Sequence, residues 1–575
     1  MRYLLLSFCV ALSFLATAQS MPTLFETSKG TQTPTYPEVI RWWQRMDAAS
    51  PIVQMKAAGP SDAGYPLHLV LVSGDKDFNI ASLKRKQRNI IFVLNGIHPG
   101  EPDGIDASML LVRDIVAGKL KLSANIVLAV VPVYNIGGAL NRSANYRVDQ
   151  NGPDEFGFRG NSQNLDLNRD FIKLDSKEAT TFTRIFHELD PDVFIDNHVS
   201  NGADYQHVMT LIASQYNKLG GVMGKYLKET FVPALFADMQ KRGFDLVPYV
   251  NHFGETPEQG WSMFWDSPRY SSGYASLWHS FAFVPETHML KPYAQRVAAT
   301  KALMESFIQF TATNGKQITQ LRKQQQEAYA QIKDLPIKWT LDTTQKSLIT
   351  FKGYTSGKKS SAVSGLPRLY YDREKPFTRQ VPFYDFYRDT ARVTAPKAYV
   401  LPKGWVKVVE RLQANGVQLV PLKKDSMIEV ESYRILSYQA SPRPFEGHHL
   451  NGKVQTEKQV KKILFHTGDY LIPLNQPAWH FLVQTLEPEA EDSYFAWNFF
   501  DPVLGQKEGF SDYMFEDTAA AYLASHPEVK ALLEERKKKD PEFAKSAAAQ
   551  LDFVYKNSPW YEPAHLQYPV YRVAN

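Results

Sequence analysis

Cysteine is almost absent. The chain has one, Cys9, and it lies inside an N-terminal apolar stretch. A mature form without that stretch has no disulfide, no thiol nucleophile and no thiolate metal ligand. Excess charge of one sign is also missing. The formal net charge is +5, and no dense basic run is interleaved with aromatics, so binding to nucleic acid has no support. Beyond the N-terminal stretch no apolar run approaches the roughly 20 residues of a membrane span. His-Glu-x-x-His, Gly-x-Ser-x-Gly and P-loop patterns do not occur. Their absence excludes a helical zinc-protease motif, a serine elbow and a phosphate cradle. There is no internal repeat.

The first 20 residues carry a short export signal. Arg2 gives a positive start, an apolar core follows, and Ala16-Thr17-Ala18 offers a small-x-small cleavage site. The expectation is cleavage after Ala18 and a periplasmic or secreted protein with no stable membrane insertion. Export without disulfides is compatible with a bacterial periplasm. Hydrophobic residues at 44% and charged residues at 22% are ordinary globular values. A length of 575 residues exceeds one core and predicts several domains.

Strand-like and helix-like segments alternate from about 20 to 330. Ile126–Val131 is a continuous apolar run, as in a strand buried on both faces. Residues 106–116 read as a helix. So do 176–189, with Ser176 as N-cap and Pro191 just past the end. Residues 192–197 read as another buried strand. The pattern predicts an α/β domain with a mixed central sheet flanked by helices. A polar helix over about 294–332 closes it, with residues 316–331 read as a solvated strut. Residues 339–354 and 368–393 alternate like half-buried strands. Residues 397–420 read as strand, helix (405–415) and strand. The expected division is a signal at 1–18, a catalytic domain at 19–333, a β-rich module at 334–395 and a C-terminal α/β accessory region at 396–575. The charge run 534–539 reads as exposed helix surface.

The segment Asn95-Gly96-Ile97-His98-Pro99-Gly100-Glu101 follows the apolar run 90–94. Pro99-Gly100 disfavours a helix there, and a tight loop can turn both side chains toward one ion. His198 ends the apolar run of Val193-Phe194-Ile195-Asp196-Asn197-His198, and Glu286 ends that of Phe281-Ala282-Phe283-Val284-Pro285-Glu286. Open α/β sheets place their sites outside the carboxyl ends of strands. Two histidines and a carboxylate can hold a catalytic zinc with one position open. A further glutamate can then act as base.

With Asp166-Leu167-Asn168-Arg169 between them, these ordered blocks resemble the zinc carboxypeptidase (metallocarboxypeptidase A-like) family, in particular its large exported bacterial members. The matching blocks span about residues 90–290. The resemblance implies one zinc per chain, held by His98, Glu101 and His198, with Asp166 fixing the ring of His98. It implies that Asn168 and Arg169 hold the free α-carboxylate of a peptide, and that Arg159 polarises the scissile carbonyl. Arg142 and Arg147 stay open as alternatives for that arginine. It implies that Glu286 takes a proton from the attacking water and passes it to the leaving amine. The substrate-capping tyrosine is assigned to Tyr274 over Tyr270. His288 either tunes Glu286 or belongs to the outer rim. His448-His449 is read as a loop pair, and Glu487, Glu489, Glu491 and Asp492 as a solvated acidic turn.

The expected activity is hydrolysis of the C-terminal amide bond of peptides with a free carboxylate. The same chemistry on cell-wall peptides or N-acyl amino acids is the alternative enzyme reading. An inactive peptide- or glycan-binding protein that keeps the fold is the alternative of another class.

Overall fold

The computed structural model describes residues 21–252, 256–328 and 332–574. The signal segment and Cys9 lie outside them. Eight strands form the central sheet: β1 (Val53–Pro60), β2 (Pro66–Ser73), β3 (Asn89–Asn95), β4 (Ile126–Val131), β5 (Val193–Ser200), β6 (Met209–Ala213), β7 (Val247–Pro248) and β8 (Phe281–His288). Their order is β1-β2-β4-β3-β5-β8-β6-β7. Strands β4, β3, β5 and β8 run parallel. The β2–β4 and β8–β6 pairings are antiparallel, so the sheet is mixed. Every residue of β3, β4 and β5 is buried, which is why β4, the middle of β3 and the start of β5 are continuous apolar runs in the sequence.

Helices α1 (Tyr36–Ala49), α2 (Asp103–Val116), α3 (Lys177–Leu189), α4 (Ser271–Leu277) and α5 (Tyr293–Glu327) surround this core. Side chains alternate along β5. Phe194 packs on Phe182 and Phe186 of α3. Asn197 packs against Gly104 of α2, where an added Cβ would lie 2.5 Å from its own. Helices α3 and α2 therefore cover opposite faces of the sheet. His198 and Glu286 occupy partnered positions on adjacent parallel strands, so both side chains leave the sheet on one face.

Helix α5 is not a solvated strut. Ile318, Arg322 and Gln325 are buried on its later part. Arg322 reaches Asp190 at 2.6 Å and Asp192 at 3.0 Å, which ties the helix to the start of β5. The polar composition of residues 316–331 concealed this seam because a buried arginine with two carboxylate partners looks, in sequence, like surface charge.

Ser347–Ser360 and Pro367–Tyr384 form a long antiparallel hairpin, and Asp334–Leu341 pairs with Tyr387–Thr394. The hairpin docks on the part built around the central sheet. Trp261 and Ser262 pair with Phe383 and Tyr384, and Tyr205, Trp261, Phe351 and Phe383 share one apolar cluster. A six-stranded sheet follows, built on Ala398–Leu401, Ser426–Ala440 and Asn451–Phe465. The helices from Asp512 to Lys556 enclose a small core of their own.

Two residues of the acidic turn, Glu487 and Asp492, are buried and paired, while Glu491 is exposed. Glu487 is 1% exposed and meets Tyr399 at 2.7 Å and Arg572 at 3.1 Å. Asp492 binds Arg269, and Glu491 accepts from Trp265. His448 is likewise more than a loop residue, for its Nε2 lies 2.7 Å from Asp175, just before α3. Nearby, Glu446 accepts the backbone N–H of Asp166 at 2.8 Å, so the C-terminal region reaches the back of the candidate site.

Burial lowers the His448 pKa, but its bond to Asp175 outweighs this and holds it above the ordinary value. Asp175 is held well below its ordinary value, with His448 and Lys173 overcoming burial. A histidine raised on folding contributes fully below its unfolded pKa, about 6.5, and loses its contribution as pH rises through the folded value. A carboxylate depressed on folding contributes above about 4 and loses it in acid. His448→Gln is therefore expected to lower the melting temperature most between about pH 4 and 6.5. The deficit should shrink in alkali, as scanning calorimetry across pH would record.

Candidate metal centre and active site

The metal-site loop begins where β3 ends. Gly96 has φ +66°, a conformation glycine adopts without strain. Gly100 permits close approach, because an added Cβ would lie 2.6 Å from Arg147 and 2.7 Å from the Gly157 carbonyl. The Glu101 N–H bonds to the His98 carbonyl at 2.8 Å, closing the turn. His98 and Glu101 thereby face His198, delivered by β5.

One ligand atom each of His98, Glu101 and His198 falls within 4.8 Å of the others. His98 Nδ1 is 3.3 Å from Glu101 Oε1, and His198 Nδ1 is 3.0 Å from Glu101 Oε2. Each opposite ring nitrogen is held by a carboxylate. Asp166 Oδ1 lies 3.0 Å from His98 Nε2, and Asp196 Oδ2 lies 2.9 Å from His198 Nε2. Such carboxylates fix ring orientation and raise ligand basicity. Two histidines and a glutamate with three buried, converging donors suit zinc.

The electrostatics favour a cation. Burial opposes charge on Glu101, yet Arg147 and His98 hold its carboxyl well below the ordinary range. Burial likewise opposes charge on Asp166, and His98, Arg159 and Arg169 overcome it. His198 is pushed well above its ordinary value. Burial works against this, and Asp196, Glu101 and Glu286 prevail. Burial pushes Glu286 up to about 8, with His198 countering and Glu101 and Asp196 adding to the rise.

These groups open into a cavity of about 360 Å³ that includes His98, Glu101, Arg159, Asn168, Arg169, His198 and Glu286 in its lining. Arg159 is half exposed and binds Asp166 through Nε at 3.0 Å and Nη2 at 2.8 Å. Arg169 stacks over the Tyr270 ring at 4.5 Å. Asn168 keeps a buried side-chain oxygen without a hydrogen-bond partner.

Tyr274 is not at the cavity. It is fully buried, and its hydroxyl donates to Asn415 at 2.7 Å and lies 3.1 Å from His187. Tyr270 is the N-cap of α4 and lines the cavity. One helical turn later, Tyr274 points into the Phe171–Phe186 cluster. Of the alternative arginines, Arg142 binds the backbone of Thr33 and Pro34, away from the site. Arg147 sits behind Glu101, bonding Oε1 at 2.8 Å and the Val199 carbonyl at 3.3 Å. His288 is buried and stacked 4.1 Å from Tyr205, with Asp204 at 3.5 Å. Sequence reasoning missed Asp196, which holds His198, and Tyr249 and Asn251, which line the cavity. Asp196 had a signal: on a strand it shares a face with His198, two residues on.

Residues 39–217 match the family model described as zinc carboxypeptidase. Over that stretch the chain is similar to the zinc carboxypeptidase family. The matched residues include His98, Glu101, Asp166, Asn168, Arg169 and His198, while Glu286 lies beyond them. The chain is 21% identical to carboxypeptidase 2 of Trichophyton equinum over 492 residues, covering 81% of this chain and 84% of that one. Carboxypeptidase 2 of Trichophyton rubrum matches with the same figures. Among solved structures, a metallo-carboxypeptidase from Pseudomonas aeruginosa in complex with (2-guanidinoethylmercapto)succinic acid aligns with 49% of this chain and 69% of its own, at 15% identity and TM-score 0.37. The carboxypeptidase A of Helicoverpa armigera aligns with 50% and 75%, at 14% identity and TM-score 0.38. Among the described residues, no helix is long and apolar enough to cross a membrane.

Proposed function

We propose that the chain is an exported zinc metallocarboxypeptidase that removes residues from the C-terminus of peptides with a free carboxylate. The observation that carries the reading is the pairing of Glu286 with His198 on neighbouring strands, beside the His98–Glu101–His198 cluster. Bound there, zinc supplies Lewis acidity and lowers the pKa of water. Glu286 takes the proton of the attacking water and returns it to the leaving amine. Its raised proton affinity suits both transfers. Asp166 and Asp196 hold the two imidazoles in place. Arg159 projects into the cavity from its anchor on Asp166 and stabilises the oxyanion. Arg169 and Asn168 bind the terminal carboxylate, for which the guanidinium fork is suited. Tyr270, against the face of Arg169, takes the capping position in place of Tyr274.

The carboxylate assignment predicts poor turnover of peptides with an amidated C-terminus. Hydrogen bonds to charged groups contribute about 1.5–3 kcal/mol, so Arg169→Ala should lower kcat/KM by about 10- to 100-fold on free acids. It should have little effect on amides. Equal loss on both, measured by steady-state kinetics, would remove Arg169 from that role.

A further inference from the structure

The C-terminal region grips two segments that meet at Arg169. The first carries Asp166, Asn168 and Arg169, and Asp166 is its hub. The Asp166 carboxylate accepts the Asn168 N–H at 2.9 Å, pairs with Arg159 at 2.8 Å and His98 at 3.0 Å, and lies 4.0 Å from Arg169. The backbone N–H of Asp166 donates to Glu446 at 2.8 Å. Glu446 stands in the loop between the long strands Ser426–Ala440 and Asn451–Phe465. A few residues past Arg169, the Asp175 carboxylate meets His448 of the same loop at 2.7 Å and Arg411 at 3.1 Å.

The second segment carries Tyr270, whose ring lies 4.5 Å from the Arg169 guanidinium. Tyr270 follows Arg269, and Asp492 takes Arg269 at three points. It accepts the backbone N–H at 2.8 Å and Nε at 2.9 Å, and Nη2 lies 2.6 Å away. Trp497 joins the two grips. It is fully buried and donates to Asp492 at 3.2 Å. Arg269 lies 5.0 Å and Lys173 5.5 Å over its rings. Phe445, the neighbour of Glu446, stacks on Trp497 at 6.2 Å. One unit far downstream in the chain therefore holds both Asp166 and Tyr270. The described lining of the metal cavity includes neither Glu446 nor Asp492, so both act through other residues.

We propose that Glu446 and Asp492 are positioning residues of the substrate site: from the C-terminal region they hold Asp166 and Tyr270 against Arg169, and so fix its guanidinium where it meets the terminal carboxylate of a peptide. The inference rests on the peptidase reading, in which Arg169 binds that carboxylate. A free arginine side chain has many rotamers, and ordering it in advance removes that cost from binding. Asp166 offers the guanidinium an opposite charge, and Tyr270 offers it a ring face. The fork recognises a carboxylate only in the matching geometry. A displacement of about 1 Å, caused far from the chemistry, can cost about 100-fold.

The test uses the chain from residue 19 with zinc, and matched peptides ending in a free acid or an amide. Asp492→Asn keeps the size and loses the charge that Arg269 faces. Glu446→Ala removes the acceptor of the Asp166 N–H, and Glu446→Gln keeps one. Asp492→Asn and Glu446→Ala are each expected to raise KM for the free acid by about tenfold or more, with kcat within a few-fold and little change on the amide. Glu446→Gln should restore the KM. A merely structural role would lower kcat on both peptides alike and leave KM in place. Melting temperature and zinc content identify folded protein. Glu446 is half-buried in a loop, so its variants read the clamp even if Asp492→Asn does not fold. Calorimetric binding of both peptides to the Glu286→Gln protein, with and without the same changes, serves where nothing is hydrolysed. Free-acid binding that Glu446→Ala weakens and Glu446→Gln restores supports the inference. Free-acid KM and binding unchanged in the folded variants, or equal loss on acid and amide, overturns it. Absence of hydrolysis with those binding losses intact would instead count against the peptidase reading alone.

Discussion

Glu286→Gln is expected to lower peptide hydrolysis by roughly two to four orders of magnitude, the usual contribution of a positioned general base. Glutamine keeps the size and the register opposite His198 and Thr210 but cannot carry the proton. Zinc content should stay at one per chain, because Glu286 is not among the three converging ligands. The pH profile supplies an independent readout. Burial pushes the Glu286 pKa up to about 8, and a dication nearby favours the carboxylate and lowers it. The acidic limb of kcat/KM should therefore report Glu286 in the wild type and be missing from the residual activity of the variant. Activity within a few-fold of wild type in a folded, zinc-loaded Glu286→Gln protein would end the assignment.

Loss of a metal ligand should have the next largest effect. His198→Ala is expected to abolish stoichiometric zinc binding and activity together. Removing it leaves His98 and Glu101, two donors where a catalytic zinc takes three. Asp196→Asn should act more mildly, at about 10- to 100-fold in affinity, because Asp196 orients the ring without binding the ion. Elemental analysis after equilibrium dialysis separates the two. Zinc at 1,000 times its Kd stabilises a folded protein by about 4 kcal/mol, so zinc should raise the melting temperature of the wild type. That rise should be absent in His198→Ala and reduced in Asp196→Asn at limiting zinc.

Much of the catalytic half was legible because buried parallel strands leave continuous apolar runs. Ile126–Val131 is β4 without adjustment, and the His98, His198 and Glu286 segments are each the end of such a run. Ser176 caps α3 as its spacing indicated, accepting the Ala179 N–H. What failed needed tertiary knowledge. Tyr270 and Tyr274 are one helical turn apart, and only the start of α4 at Ser271 decides which one faces the cavity. The partners of His448 and Glu446 lie more than 270 positions away. The turn at Glu487 reads as solvated until Arg572 and Tyr399 are placed beside it. Arg322 shows the same limit, since a paired buried charge and a surface charge are one letter in the sequence.

Product analysis by mass spectrometry tests the central claim most directly. The chain from residue 19 would be loaded with zinc and incubated with a mixed peptide library beside a chelated sample. Stepwise loss of C-terminal residues in the zinc-loaded sample alone is the predicted result. Intact peptides despite one bound zinc per chain, or cleavage at internal bonds, would contradict it.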